Sequence, residues 1–366
     1  MNMKIAWMAI VALPFILLSC DTKDFHEVKV NNPAFAPDTA FVGFEDLSSP
    51  KFAALKQKYQ LDTIFHGEKD ELKRILLLRN WIRSHIPIND PGPHPGDGSA
   101  ESIIDEGLKG NGFHCGHYMA VQNAIMNAYG YVTRTLGAGP GVPGGPDGHH
   151  GIDEIWLNGY HKWFLSDAKY NSHFEKNGIP LSALEVRDEY IKNKAADIIL
   201  VKGPNRTAID FDEEYKKSKT DFARTYTNVE WNRHNDLYTQ WPKDSSYLIM
   251  YQDEYFKTHD WIWDGKPHWA YNTPHMILVA DRRAIEWTPN TIESKVKIEG
   301  DKVQITLNSI TPNFKTYQLK QLPAEDWKNV DAELELPLEK NKNELLFRVV
   351  NAVGVTGPEH RVVVQK

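Results

Sequence analysis

Residues 150–167 read HGIDEIWLNGYHKWFLSD. Two β-rich runs flank the dipeptide Asn158-Gly159, the strongest short hairpin signal a sequence carries. A two-residue Asn-Gly loop pairs Leu157 with Tyr160 and so sets His150 opposite Asp167. Opposed residues on one face have Cβ atoms roughly 4.5–5.5 Å apart, which suits an imidazole–carboxylate hydrogen bond. A slip of one residue would turn every side chain to the other face, so the pairing selects His150 over His149. Glu154, Trp156, His161 and Trp163 share the face of His150, which reads as the mixed aromatic and polar wall of a cleft. Ile155, Leu157 and Phe164 take the opposite face.

Upstream, Tyr118, Val121, Ile125 and Ala128 recur at helical spacing, and Gly130 supplies a stop. Gly112 precedes this run, so Cys115 stands at a helix N-terminus, where the dipole and free N–H groups stabilise a thiolate. A second helix is predicted from about Lys69, with Ile75, Leu78, Ile82 and Ile86 on one face and Pro87 as its stop. Asn89–Ser99 and Gly137–Gly148 read as loops by composition.

The chain of 366 residues has 2 cysteines, a net charge of −7 and no polybasic run, which argues against a nucleic-acid partner. Residues 1–20, MNMKIAWMAIVALPFILLSC, place Lys4 before an apolar run too short to span a membrane, and read as a secretory signal. The ending Leu17-Leu18-Ser19-Cys20 resembles a bacterial lipobox. That resemblance implies loss of residues 1–19 and a lipid on Cys20, anchoring an exported protein to a bacterial membrane, the outer membrane by expectation. Cys115 would then be the one thiol left in an oxidising compartment. Such a thiol is either buried packing or a reactive group.

The parts suit acyl transfer. A thiol becomes a strong nucleophile on deprotonation, an imidazole within reach takes the proton, and a carboxylate behind the ring fixes its tautomer. Cys115 is the expected nucleophile, His150 the base and acid, and Asp167 the orienting carboxylate. The Cys115 backbone N–H is a natural oxyanion donor at a helix start. Trp81 and Asn111 are the options for a second. His114 and His117 flank the helix start and read as cleft lining, together with Arg134, Trp156 and Trp163; Arg134 reads equally as a structural hydrogen-bonder. Cys115-Gly116-His117 with His149-His150 lacks a zinc-like spacing, so neither metal nor cofactor is expected.

The blocks Gly112-Phe113-His114-Cys115-Gly116-His117-Tyr118, Gly130-Tyr131-Val132-Thr133-Arg134, His150–Trp156 and Trp163–Asp167 resemble, in order, those of the transglutaminase-like superfamily. The resemblance covers about residues 69–175. Gly151 and Ala168 depart from the family's usual Ala and Pro. It implies an α+β fold with a papain-like core, in which a nucleophile helix packs on an antiparallel sheet. It also implies a thiol enzyme of protease, isopeptidase, amidase or transamidase type.

The expected organisation is a signal at 1–19, a tether at 20–50, a catalytic domain at 51–290 with a Trp-rich extension, and a β-sandwich of immunoglobulin or fibronectin-III type at 291–366. The last follows from the alternation of Val303, Ile305 and Leu307 and of Leu345, Phe347 and Val349. Ser182–Leu200 reads as a helix. The Trp-rich stretch 225–290 suits core packing or, with His268, Tyr271 and His275, a sugar-binding groove. Three readings of function follow. The first is an exported thiol amidase acting on peptide or glycopeptide, with hydrolysis favoured because water is abundant. The second is a glycan- or protein-binding lipoprotein with a vestigial triad. The third is a polysaccharide lyase or hydrolase that does not use the thiol.

Overall fold

The computed structural model describes residues 24–366 apart from 39, 90–95, 141–148, 241–247, 259–261, 264–265 and 268–275. The signal and lipobox reading, and His268, Tyr271 and His275, therefore lie outside the described residues.

Four helices precede the sheet: α1 (Pro50–Lys58), α2 (Glu71–His85), α3 (Ala100–Leu108) and α4 (Cys115–Ala128). Asp70 caps α2 by accepting from the Lys73 N–H at 2.8 Å, and Ile75, Leu78 and Ile82 form its buried stripe. Its cap residue Ile86 is extended, as the residue before a proline must be. Helix α4 begins at Cys115, with the His114 side chain as its N-cap, and stops at Gly130, whose φ of +76° suits glycine.

Six strands form the central sheet: β1 (Thr133–Gly139), β2 (His150–Leu157), β3 (Lys162–Ser166), β4 (Asn228–Asn232), β5 (Leu248–Tyr251) and β6 (Met276–Val279). Their spatial order is β6-β5-β4-β1-β2-β3. All pairings are antiparallel except β5 with β6, which is parallel. The composition of Gly137–Gly148 suggested a loop, but Gly137 and Gly139 continue β1. A Cβ on Gly137 would lie 2.4 Å from His149 Nε2 and 2.9 Å from Glu230 Oε1, so glycine there lets those two side chains approach the strand closely.

The hairpin is not closed by two residues. Leu157 pairs with Lys162 and Asp153 with Ser166, so residues 158–161 form a four-residue turn and the register is two residues away from the expected one. The cause is tertiary. Glu71 accepts from the Asn158 side chain at 2.8 Å and from the Gly159 N–H at 3.0 Å, and Asn290 donates to Asn158 at 3.0 Å. These bonds hold the dipeptide outward, and His161 takes the left-handed φ of +53°. A shift of two preserves the face of every side chain. His150 and Asp167 therefore remain on one face, as diagonal rather than direct neighbours.

Each face of the sheet buries one core. Helices α1–α4 cover Ile155, Leu157 and Phe164. The other face carries Leu136, Ala138, Ile152, Trp156, Trp163 and Leu165. It is covered by α5 (Ala183–Asn193), α6 (Lys219–Arg224) and the strands between Ser172 and Ile209. The helix expected over 182–200 ends earlier, since Ile199–Lys202 is a strand. Ser182 and Glu185 form a reciprocal capping box at the start of α5. Ser182→Ala is expected to cost about 1 kcal/mol, checked by urea unfolding; no measurable change would remove the cap from the account.

Two sheets enclose the third core, which contains Val303, Ile305, Leu319, Phe347, Val349 and Val362. The expected alternation is present: Glu293–Glu299 alternates exposed with half-buried positions, and Lys302–Asn308 buries Val303, Ile305 and Leu307. The expected tether differs. His26–Val28 pairs with Val363–Gln365, Gly43–Phe44 pairs with His234–Asn235, and Phe41 is buried in the central core. These strands are two or three residues long, and their partners lie about 200 to 340 residues away, so no local pattern announces them.

Candidate active site

Cys115 stands at the first position of α4, partly exposed, where the first N–H groups of a helix have no intrahelical acceptor. His150 opens β2, and Asp167 follows β3. The thiol hydrogen-bonds the His114 and His150 side chains and the backbone N–H of Gly151. His150 Nε2 lies 2.7 Å from Asp167 Oδ2, which leaves Nδ1 of the same ring for the thiol. The three residue types expected to act together are therefore contiguous: thiol, imidazole, carboxylate.

Neighbours unseen in the sequence complete the arrangement. Tyr170 stacks on the His150 ring with centroids 5.0 Å apart, and its N–H donates to Asp167 Oδ1 at 3.0 Å. The Tyr226 hydroxyl donates to Asp167 Oδ2 at 3.3 Å. Tyr170 could have been found, because an Asp accepting from an N–H three residues on is a local turn pattern. Tyr226 carries no such signal; it arrives from 59 residues away. Buried Arg79 bonds Asn171 and the Ser172 carbonyl, the latter at 2.9 Å, and so fixes the turn that follows Asp167.

The electrostatics favour the charged pair. Burial pushes the Cys115 thiol up, but hydrogen bonds from His114 and His150 and the charge of His150 outweigh it and bring it from 9.0 to about 4. Burial pushes His150 down, but the Asp167 charge and hydrogen bond, with those of Cys115, raise it from 6.5 to about 9. Asp167 itself is raised by burial and brought below its ordinary value by His150. Both shifts favour the thiolate–imidazolium form of the pair at neutral pH. His114→Ala removes a helix cap and one hydrogen bond to the sulfur. The pH midpoint of thiol alkylation is then expected to rise, by less than on loss of His150; an unmoved midpoint would show that His114 serves the helix alone.

The expected cleft lining is split. His114 borders a cavity at Cys115, and the His117 ring lies tilted against that of His114 with centroids 3.9 Å apart. Arg134, Trp156 and Trp163 border neither cavity at the thiol. They are buried, and line a separate depression with Glu154 and Ile285. Arg134 donates to Glu154 Oε2 through Nε at 2.9 Å and Nη2 at 2.6 Å, and lies over the Trp163 ring at 3.9 Å. Its role is structural because a guanidinium with no path to water must be fully bonded inside the fold. Trp81 stacks on His85 and lines a separate depression with His66 and Asn80, Asn111 donates to Glu106, and neither oxyanion option borders the cavities at the sulfur. Trp231 and Trp287 are both fully buried in the core rather than displayed as a sugar platform. Among the described residues no group of three or more His, Cys, Asp or Glu is placed to hold a metal.

Residues 59–168 match the model of the Transglutaminase-like superfamily, and this span contains Cys115, His150 and Asp167 in that order. It is a transglutaminase-like domain. Its fold is the papain-like one, with α4 against the β-sheet. The family's usual Ala fits at Gly151, where a Cβ would meet Met119 Sδ at 3.4 Å and Gly116 Cα at 3.5 Å, ordinary contacts. The chain is also similar to a solved structure from Cytophaga hutchinsonii described as a candidate cysteine protease. That likeness has 18% identity and a TM-score of 0.27, over 34% of this chain and 40% of that one. No curated protein matches the chain. The transglutaminase-like domain supports a cysteine-dependent enzyme fold.

Proposed function

We propose that this protein is an exported thiol-dependent amide hydrolase in which Cys115, His150 and Asp167 act as nucleophile, acid–base and orienting carboxylate. The observation that carries the reading is the contiguous Cys115–His150–Asp167 chain, with its carboxylate end buried and its sulfur end bordering two cavities. The Cys115 thiolate attacks the amide carbonyl carbon, and the Cys115 N–H receives the developing oxyanion. The C–N bond breaks as His150 passes its proton to the leaving nitrogen. Water then attacks the thioester, His150 takes its proton, and the thiolate leaves. Peptides and glycopeptides are the substrate classes we favour. Hydrolysis is favoured over transamidation because water needs no acceptor subsite. The Leu17–Cys20 ending supports export and a lipid anchor on Cys20.

The test is turnover of a peptide and glycopeptide panel by wild type and Cys115→Ala, with mass spectrometry to separate hydrolysed from transamidated products. Equal turnover by the two proteins would remove the reading. Polysaccharide cleavage that survives loss of Cys115 would point to chemistry without the thiol.

A further inference from the structure

Two cavities meet at Cys115, and they differ in charge. The first, about 510 Å3, is lined by Cys115 and His150 together with Lys169, Lys216, Lys217 and Arg224. The second, about 320 Å3, is lined by Cys115 with Met119, Leu136, Leu248 and Glu230, and holds neither Lys nor Arg among the described residues. Both are within the size range of small-molecule sites.

Among the described residues the wall of the first cavity has one carboxylate, Asp221; it accepts from the Ser218 N–H at 3.0 Å and the Ser218 hydroxyl at 2.6 Å, and it also feels the charges of Lys217 and Arg224, which leaves the wall with a net positive charge. Lys216 pairs with exposed Glu213 at 2.9 Å. Lys217 and Arg224 are half-buried. Lys217 lies 5.9 Å from the Tyr170 ring, the same ring that stacks on His150. The chain as a whole carries −7, so four cations around the thiol run against its average charge. A cleft lined by one sign of charge focuses its field on a ligand of the other sign.

Mechanism says which half of the substrate meets that field. A general acid must stand on the side of the nitrogen it protonates. Cys115 borders both cavities, as a nucleophile between two halves must, whereas His150 borders only the cationic one. We propose that the cationic cavity receives the amine half of the amide and that this half carries a carboxylate, read by Lys217 and Arg224; the uncharged acyl half occupies the apolar cavity. The proposal rests on the thiol reading above. The Sγ–C bond forms, the C–N bond breaks, and the His150 proton passes to nitrogen. The first product released is an amino acid, or a peptide with a free carboxylate near its new amine. Water then releases the acyl half as a carboxylic acid.

Two measurements on the full chain test this. Cys115 is alkylated at pH 7 with anionic iodoacetate and neutral iodoacetamide. The iodoacetate-to-iodoacetamide rate ratio is expected to be about tenfold higher in wild type than in Lys217→Gln/Arg224→Gln, with the difference lost at ~0.5 M salt. Matched peptides then carry a carboxylate on the amine half, on the acyl half, or on neither. The first is expected to show the highest kcat/KM, by about tenfold, and the double variant to erase that preference. A ratio equal in both proteins, or a preference for charge on the acyl half, overturns the proposal while the thiol reading stands. A Cys115 that resists both reagents overturns the thiol reading, and this proposal with it.

Discussion

His150→Gln is expected to lower kcat/KM by about 10³–10⁴-fold. On the proposed mechanism the ring does three things that glutamine cannot: it takes the thiol proton, balances the thiolate, and protonates the leaving nitrogen. The pH dependence separates them. In wild type the thiolate forms as pH rises through about 4, and the imidazolium is lost as pH rises through about 9. Turnover is expected to be bell-shaped between those limits. Alkylation by iodoacetamide needs only the thiolate, so it rises through about 4 and does not fall again. In His150→Gln the burial that opposes the thiolate remains while its main counter-charge is gone, so the midpoint moves back toward 9.0 or beyond. At pH 7 a thiol with a pKa near 9 is about 1% ionised, and alkylation slows about a hundredfold. The measurement is the alkylation rate across pH, with circular dichroism to show that the variant folds. A midpoint that stays near 4 would mean that His150 does not set the thiolate.

The second large effect concerns stability. Glu154→Ala is expected to cost about 3–5 kcal/mol, because it strands a buried guanidinium. Glu154 accepts from Arg134, from Trp231 Nε1 at 2.8 Å and from the Ala183 N–H at 2.7 Å, and Arg134 also donates to the Ile285 carbonyl at 2.5 Å. One carboxylate thus joins β1, β2, β4 and the start of α5. Glu154→Gln keeps the shape and one carbonyl acceptor, so it is expected to lose less and to remain folded if the alanine variant does not. Urea unfolding of both variants reads the difference. A loss below about 1 kcal/mol for the alanine variant would show that Arg134 finds other partners.

Much of the candidate site was legible in the sequence, and periodicity rather than turn chemistry made it so. Cys115 sits at a helix start because helical periodicity begins there. His150 shares a face with Asp167 because strand alternation has a period of two, and the four-residue turn moved the register by an even number. An odd shift would have chosen His149. Arg134 and Trp163 could not be read correctly from the strands alone. The face they share with His150 runs from the cavity at one end of the sheet into the core covered by α5 and Trp287, and alternation does not say where along a strand a cleft gives way to a core.

Read alone, the sequence singles out Cys115, His150 and Asp167, gives the face of its strand that His150 and Asp167 share, and shows that a helix begins at the thiol. These are local properties, set by backbone periodicity and capping over a few residues. The hairpin register depends on the packed fold, since Glu71 and Asn290 reach Asn158 from 87 and 132 residues away. The same packing sets Tyr226 behind Asp167 and places Lys217 and Arg224 on the cavity beside His150. Those residues meet the triad only because α6 and its flanking strands pack over the face on which His150 and Asp167 lie. Contacts between distant segments follow from how apolar faces bury one another, and no window of sequence contains both partners.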